Sequence, residues 1–286
     1  MLGKEIKITG FADEIGEDFD LQLTVLKELG MSYIELRSAY GKNIAEYSVE
    51  EAKGLKEKMD ACGIQVSAIG SPIGKIGVND DFEVHFEVYK NVVELAKLFK
   101  TSYIRMFSFY VEEGDDFSKY TASIIEKLIR LRDYAAENNI TLLLENEKGV
   151  YGDNAVRSKE LLEVLYNENF KAAFDPANFV QCNQDVIEAY KMLKPYIGYF
   201  HMKDALFGTH QVVLLGAGEG RIAELLEKAK EDNIVQFYSL EPHLTEFIGL
   251  DSLEREGEES KIGSIYQDGR EAFMASYKAL ISLLNK

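Results

Sequence analysis

The sequence predicts an α/β protein, a (β/α)8 barrel formed by one domain over residues 1–286, and three observations predict it. Eight short apolar segments alternate strictly with eight longer amphipathic ones. The strand-like segments start roughly 25 to 40 residues apart, which leaves room for a helical crossover and so argues parallel pairing. Eight such units in 286 residues fit a closed barrel, whose usual length is about 250 residues. An open doubly wound sheet shares the rhythm, but no GxGxxG follows the first strand, which counts against its dinucleotide-binding version.

In order along the chain, Ile6–Phe11 reads as the first strand and Asp18–Leu29 as its helix, stopped by Gly30. Tyr33–Arg37 and Val49–Cys62 repeat the pair, with Gly63 as the stop; a glycine just past a helix supplies the left-handed residue that ends it. Gln65–Gly70 precedes Phe82–Phe99, and Tyr103–Ser108 precedes Ser118–Asn138. In the latter helix Ile124, Ile125, Leu128, Leu131, Arg132 and Ala135 recur at spacings of three and four, one face of a helix. Ile140–Asn146 with Arg157–Glu168, and Lys171–Asp175 with Gln184–Leu193, continue the series. Tyr199–Lys203 with Arg221–Glu231, and Gln236–Glu241 with Gly269–Asn285, complete it. The strands are short and mostly rich in Val, Ile, Leu, Phe or Tyr. Gly249–Ser264 reads as a long polar loop before the last helix.

Charge narrows the partners. With 32 Lys+Arg against 49 Asp+Glu the net charge is −17, which opposes binding to nucleic acid, where Lys and Arg must neutralise phosphates. No run of about 18 apolar residues occurs, so no membrane span is expected. The opening MLGKEIKITGF lacks an apolar signal region. Cys62 and Cys182 are 120 residues apart and read as buried free thiols in a reducing compartment. A cytoplasmic enzyme is expected, with its oligomeric state left open.

In a parallel barrel, chemistry collects where strands end. Strand five ends LLLEN and delivers Glu145. Strand six ends AAFDPAN and delivers Asp175. Strand seven ends YFHMKD and delivers His201, and strand eight ends YSLEPH and delivers Glu241. Each alone reads as a helix cap or ion-pair partner. Together, three carboxylates and one imidazole on adjacent strands converge on one point, and a divalent cation relieves their repulsion. Three oxygens and one nitrogen favour Mn²⁺ or Mg²⁺, with Zn²⁺ or Co²⁺ as alternatives.

Lys203 has the parity of His201 and can hold a substrate oxygen or phosphate or pair with Asp175 or Glu145. Glu147 has the parity to face the mouth. Arg105 and Glu35 can contact substrate or pair with each other inside the barrel. Gly216–Gly220 (GAGEG) precedes a helix where barrels often bind phosphate, although a glycine-rich turn is the plainer reading. His210 and His243 fall near the mouth, and His85 reads as a packing or surface residue of its helix.

LLLEN, FDPANF, HMKDA and LEPH, in this order, resemble the sugar-phosphate isomerase/epimerase family with the xylose isomerase-like barrel. FADEIG, YIELR and SPIGK resemble it too, so the likeness covers nearly the whole chain. That group includes ketose 3-epimerases, inosose dehydratases and isomerases, and endonuclease IV. The resemblance implies one divalent metal on Glu145, Asp175, His201 and Glu241, with Glu145 and Glu241 also acting as acid and base. It implies an isomerase or epimerase working through an enediolate on a small sugar, a ketose or related polyol, phosphorylated or not. Substrate contacts are expected from Asn178, Lys203, Arg105 and His243. Asn178 departs from the epimerase pattern, which has His there, and no Arg follows His201 closely. An inosose-type dehydratase or isomerase, or a non-catalytic barrel that keeps its metal and binds sugar, are the alternatives. With only four histidines, a three-zinc nuclease site is not expected.

Overall fold

The computed structural model describes residues 6–112, 114–234, 237–247, 262 and 266–286. Eight strands form one sheet: β1 (Lys7–Gly10), β2 (Tyr33–Leu36), β3 (Gln65–Gly70), β4 (Tyr103–Met106), β5 (Thr141–Glu145), β6 (Phe170–Phe174), β7 (Ile197–Met202) and β8 (Phe237–Leu240). Their order is β1-β8-β7-β6-β5-β4-β3-β2 and every ladder is parallel. β1 and β2 lie side by side at the remaining seam, so the barrel is nearly closed.

Helices cover the outside: α1 (Phe19–Glu28), α2 (Val49–Cys62), α3 (Phe82–Phe99), α4 (Thr121–Glu137), α5 (Ala155–Leu165), α6 (Pro176–Gln181), α7 (Val186–Leu193), α8 (Ile222–Asp232) and α9 (Gly269–Leu284). Their starts follow from local chemistry. Ser48 and Glu51 form a capping box at α2, and Asp81, Asn154, Asp185 and Asp268 each accept a first-turn N–H. Gly63 closes α2 in the left-handed region. Capped by Asn154, α5 starts at Ala155, two residues before the expected Arg157. The sequence pattern missed α6, because FDPANF reads as a strand end; Asp175 caps it and Pro176 opens it. Among the described residues no helix is long and apolar enough to cross a membrane. The expected buried thiols are a correction: Cys62 and Cys182 are free but only half-buried. The predicted loop Gly249–Ser264 lies outside the described residues except for Ile262.

Strand parity positions the site. Ala68, Leu143, Ala173 and Tyr199 form a buried cluster, with Tyr103 and Phe237 packed against it. Side chains alternate along a strand, so two residues onward the same interior face carries Arg105, Glu145, Asp175 and His201. The apolar layer is therefore the floor of a charged one. Two register shifts interrupt the ladders, one between Ile34 and Glu35 in β2 and one between Ala172 and Ala173 in β6.

Candidate active site and metal centre

Glu145 ends β5, Asp175 follows β6, His201 lies near the end of β7 and Glu241 follows β8. All four are buried, and one ligand atom from each lies within 4.8 Å of all the others. His201 Nδ1 is 2.7 Å from Glu145 Oε1 and 3.6 Å from Glu241 Oε2. Lys203 Nζ is 3.1 Å from Asp175 Oδ2 and 3.3 Å from Glu241 Oε2.

Asp175 divides its oxygens. Oδ1 accepts the Asn178 N–H at 3.0 Å and caps α6. Oδ2 is buried and faces the Lys203 ammonium at 3.1 Å. Asn146 fixes the segment: its amide donates to the Asp175 carbonyl and accepts the Asp175 N–H, both at 2.9 Å. One oxygen is thus bound to the fold and the other is turned to the centre.

The remaining expected residues surround this core. The Asn178 amide donates to Glu145 Oε1 at 3.4 Å, and its own oxygen is unsatisfied. Arg105 Nε stands 3.4 Å from Glu145 Oε2 but donates no hydrogen bond. His243 Nε2 is 3.4 Å from both Glu14 Oε1 and Glu241 Oε1. Glu147 pairs with Lys75 at 2.9 Å. The expected Arg105–Glu35 pairing does not form: Arg105 turns to Glu145, and Glu35 Oε1 lies 3.3 Å from His201 Nε2.

Gly216–Gly220 is a turn filled from within. Asp204 accepts N–H groups from Gly216, Gly218 and Gly220 at 2.9–3.0 Å, so a carboxylate of the chain occupies the place of a phosphate. A Cβ on Gly218 would lie 2.4 Å from Asp204 Oδ1. His85 is a packing residue whose Nε2 accepts the Gly74 N–H at 2.8 Å. The His210 carbonyl accepts from Gln181.

Sequence reasoning missed Asp13, Glu14 and Arg37. The Arg37 guanidinium donates to Asp13 at 2.7 and 3.2 Å, to Glu14 at 3.2 Å and to Glu241 at 3.3 Å. It also stacks on Phe11, 4.4 Å from the ring centroid. The strand-end rule finds these residues when carried to strands one and two, where FADE and YIELR hold them.

The electrostatics are those of a crowded acidic centre. Asp13, Glu14, Glu35, Glu145, Asp175 and Glu241 are buried beside three fixed cations, Arg37, Arg105 and Lys203. Burial pushes the Asp175 carboxyl up to about 7 against the pull of Lys203. It pushes Glu14 up to about 8 against Arg37. Burial would also raise Glu241, but Lys203, with His201 and Arg37, holds it well below the usual carboxylate range. Burial would lower His201, yet Glu145 and Glu35 raise it well above an ordinary histidine. Burial lowers His243 to about 3. The excess of carboxylate and the convergence of three oxygens with one nitrogen fit a divalent cation.

A barrel with a buried acidic centre at the C-terminal ends of its strands defines the class. The chain belongs to the xylose isomerase-like TIM barrel family, which it matches over residues 23–268. It is 25% identical over 181 residues to a 3-dehydroshikimate dehydratase of Bacillus anthracis, a match spanning 62% of this chain and 63% of that one. The chain thus covers less than two thirds of that relative. Among solved structures, a D-allulose 3-epimerase from Methylomonas sp. superposes with a TM-score of 0.77 at 15% identity, covering 99% of this chain and 100% of that one. The IolI protein, solved with a bound zinc atom, gives 0.75 at 17% identity, covering 98% of each chain. At these identities the structural likeness is one of fold.

Proposed function

We propose that the chain is a divalent-metal-dependent enzyme that moves a proton on a carbon beside a carbonyl in a small polyhydroxylated substrate, a ketose or a cyclic polyol ketone. The observation that carries this reading is the set of four buried donor atoms within 4.8 Å of one another. Glu145, Asp175, His201 and Glu241 would hold the cation, which when bound supplies Lewis-acid polarisation of the carbonyl.

The chain's own groups supply the rest. Glu241 is held ionised, the state in which a carboxylate accepts a proton; the cations that keep it so also weaken it as a base, so it suits an already acidified C–H. Glu145, across the centre against Arg105 and His201, is the second acid/base group. Asn178, Lys203, Arg105 and His243 line the centre as hydrogen-bonding and charged contacts for substrate oxygens. Asn178 cannot take up a proton at neutral pH, so its part is orientation.

Removal of the proton gives an enediolate. Return on the opposite face inverts the centre, return at the neighbouring carbon isomerises the sugar, and loss of a β-hydroxyl dehydrates it. The B. anthracis relative, a dehydratase, supports the last outcome as a second reading, and the epimerase fold neighbour supports the first. Incubation of metal-loaded protein with ketoses, inososes and cyclic oxo acids in D₂O, followed by NMR, tests the proposal. Deuterium at the carbon next to the carbonyl is expected, and the product identifies the branch. Metal binding with no exchange on any substrate would leave a sugar-binding barrel instead.

A further inference from the structure

Glu35 is fully buried in β2, and its only ion-pair partner among the described residues is His201. Its Oε1 lies 3.3 Å from His201 Nε2, and its Oε2 has no hydrogen-bond partner. A carboxylate in such a place is costly, and an apolar residue of similar size is often as stable or more so. The backbone nevertheless makes room for it. The β2–β3 register shifts between Ile34 and Glu35, and irregularities of this kind re-aim a side chain.

The imidazole is fixed on several sides. Phe11 meets it edge-on at 5.2 Å and Tyr199 at 5.8 Å. With the ring so held, Nε2 points to Glu35, and Nδ1 points to Glu145 and Glu241 at 2.7 and 3.6 Å. The two nitrogens therefore have separate surroundings. Three of the four proposed ligands meet at Nδ1, whereas Nε2 meets a carboxylate outside that set.

We infer that Glu35 is a positioning residue: it accepts the Nε2–H of His201 and so fixes the tautomer that turns the Nδ1 lone pair to the divalent ion. This rests on the metal reading of the four-residue centre. Carboxylates behind a ligating imidazole act in this way, orienting the ring and raising its basicity.

The test compares wild-type protein with Glu35→Leu in calorimetric titrations with Mn²⁺. Leu fills much of the same space in a fully buried position but has no acceptor for the Nε2–H. Mn²⁺ affinity should fall about 10- to 100-fold, the usual cost of losing such a partner, with circular dichroism unchanged. ¹⁵N-histidine spectra of Zn²⁺-loaded wild-type protein supply a second measurement that needs no variant to fold. They should show His201 protonated at Nε2 and metal-bound at Nδ1. Equal Mn²⁺ affinity in the two proteins, or metal on Nε2, would overturn the role of Glu35 alone. A wild-type protein that takes up neither ion would overturn the metal reading and this inference with it.

Discussion

Replacing Asp175 with Asn should make the metal-free protein more stable while weakening the proposed metal centre. The Asp175 carboxyl is fully buried and pushed up from 3.8 to about 7, chiefly by desolvation, against the pull of Lys203. The sign follows from linkage. An acid whose folded pKa exceeds its unfolded value binds protons more tightly when folded, so it lowers stability as pH rises between the two values. Carrying the group from 3.8 to about 7 is worth about 4 kcal/mol. That penalty is absent near pH 4, grows through pH 4–7 and is fully present above pH 7. Asn carries no charge and keeps an oxygen for the Asn178 N–H, so α6 retains its cap. Asp175→Ala loses that cap and should fall below Asp175→Asn by about 1 kcal/mol. Urea unfolding in a chelating buffer, at pH 4.5 and 7.5, measures all three proteins. Added Mn²⁺ should then raise the stability of wild-type protein at concentrations that leave the variants unchanged, since a folded state gains in proportion to how tightly it binds the ion. A metal-free Asp175→Asn protein less stable than wild type at pH 7.5, or a difference that does not narrow toward pH 4.5, would refute the reasoning.

His201→Ala should recover part of its activity at high metal concentration, because a ligand that only holds the ion can be offset by mass action. Glu145→Gln and Glu241→Gln, saturated with metal, should stay slow by about 10²- to 10⁴-fold, the usual worth of a positioned acid or base; turnover against metal concentration separates the two kinds, and full recovery of both glutamine variants would reduce the quartet to a metal cage. Away from the site, His85 is lowered to about 4 by burial and accepts the Gly74 N–H, so its ring must stay neutral in the fold. A base depressed in this way contributes stability above its unfolded value near 6.5 and loses it as pH falls toward 4, about 3 kcal/mol in full. His85→Gln, which cannot take up that proton, should show a correspondingly shallower loss of stability between pH 7 and 4.5.

The elements that were legible in the sequence were those set by local pattern. The β-rich runs and the three-and-four spacings gave the eight strands and their covering helices, and strand-end position with two-residue parity located Glu145, Asp175, His201 and Glu241. What stayed hidden depends on contacts between distant segments. Arg105 and Glu35 have the same parity, and only the angular order of β2, β4, β5 and β7 around the barrel decides that Arg105 meets Glu145 while Glu35 meets His201. The Gly216–Gly220 turn has the composition of a phosphate cradle, and nothing local says that Asp204, 12 residues before its first glycine, fills it. Arg37 shares a strand end and a parity with Glu35, and nothing local says that its guanidinium reaches Asp13, Glu14 and Glu241.

The charge arrangement explains how so many acids coexist before any cation arrives. Lys203 spans Asp175 and Glu241, Arg37 spans Asp13, Glu14 and Glu241, and His201 spans Glu145 and Glu35. Each cationic group joins acids from different strands or loops, so the crosslinks hold the geometry that repulsion would open. They do not balance the charge, and Asp175 and Glu14 respond by moving toward neutral forms. A core selected for stability alone would shed some of these groups, since well-packed apolar residues often do better than buried ion pairs. Keeping them has an energetic cost, and strained or charged groups of this kind gather where function requires them. The same excess of negative charge that weakens the metal-free fold is what makes a divalent cation at this point favourable.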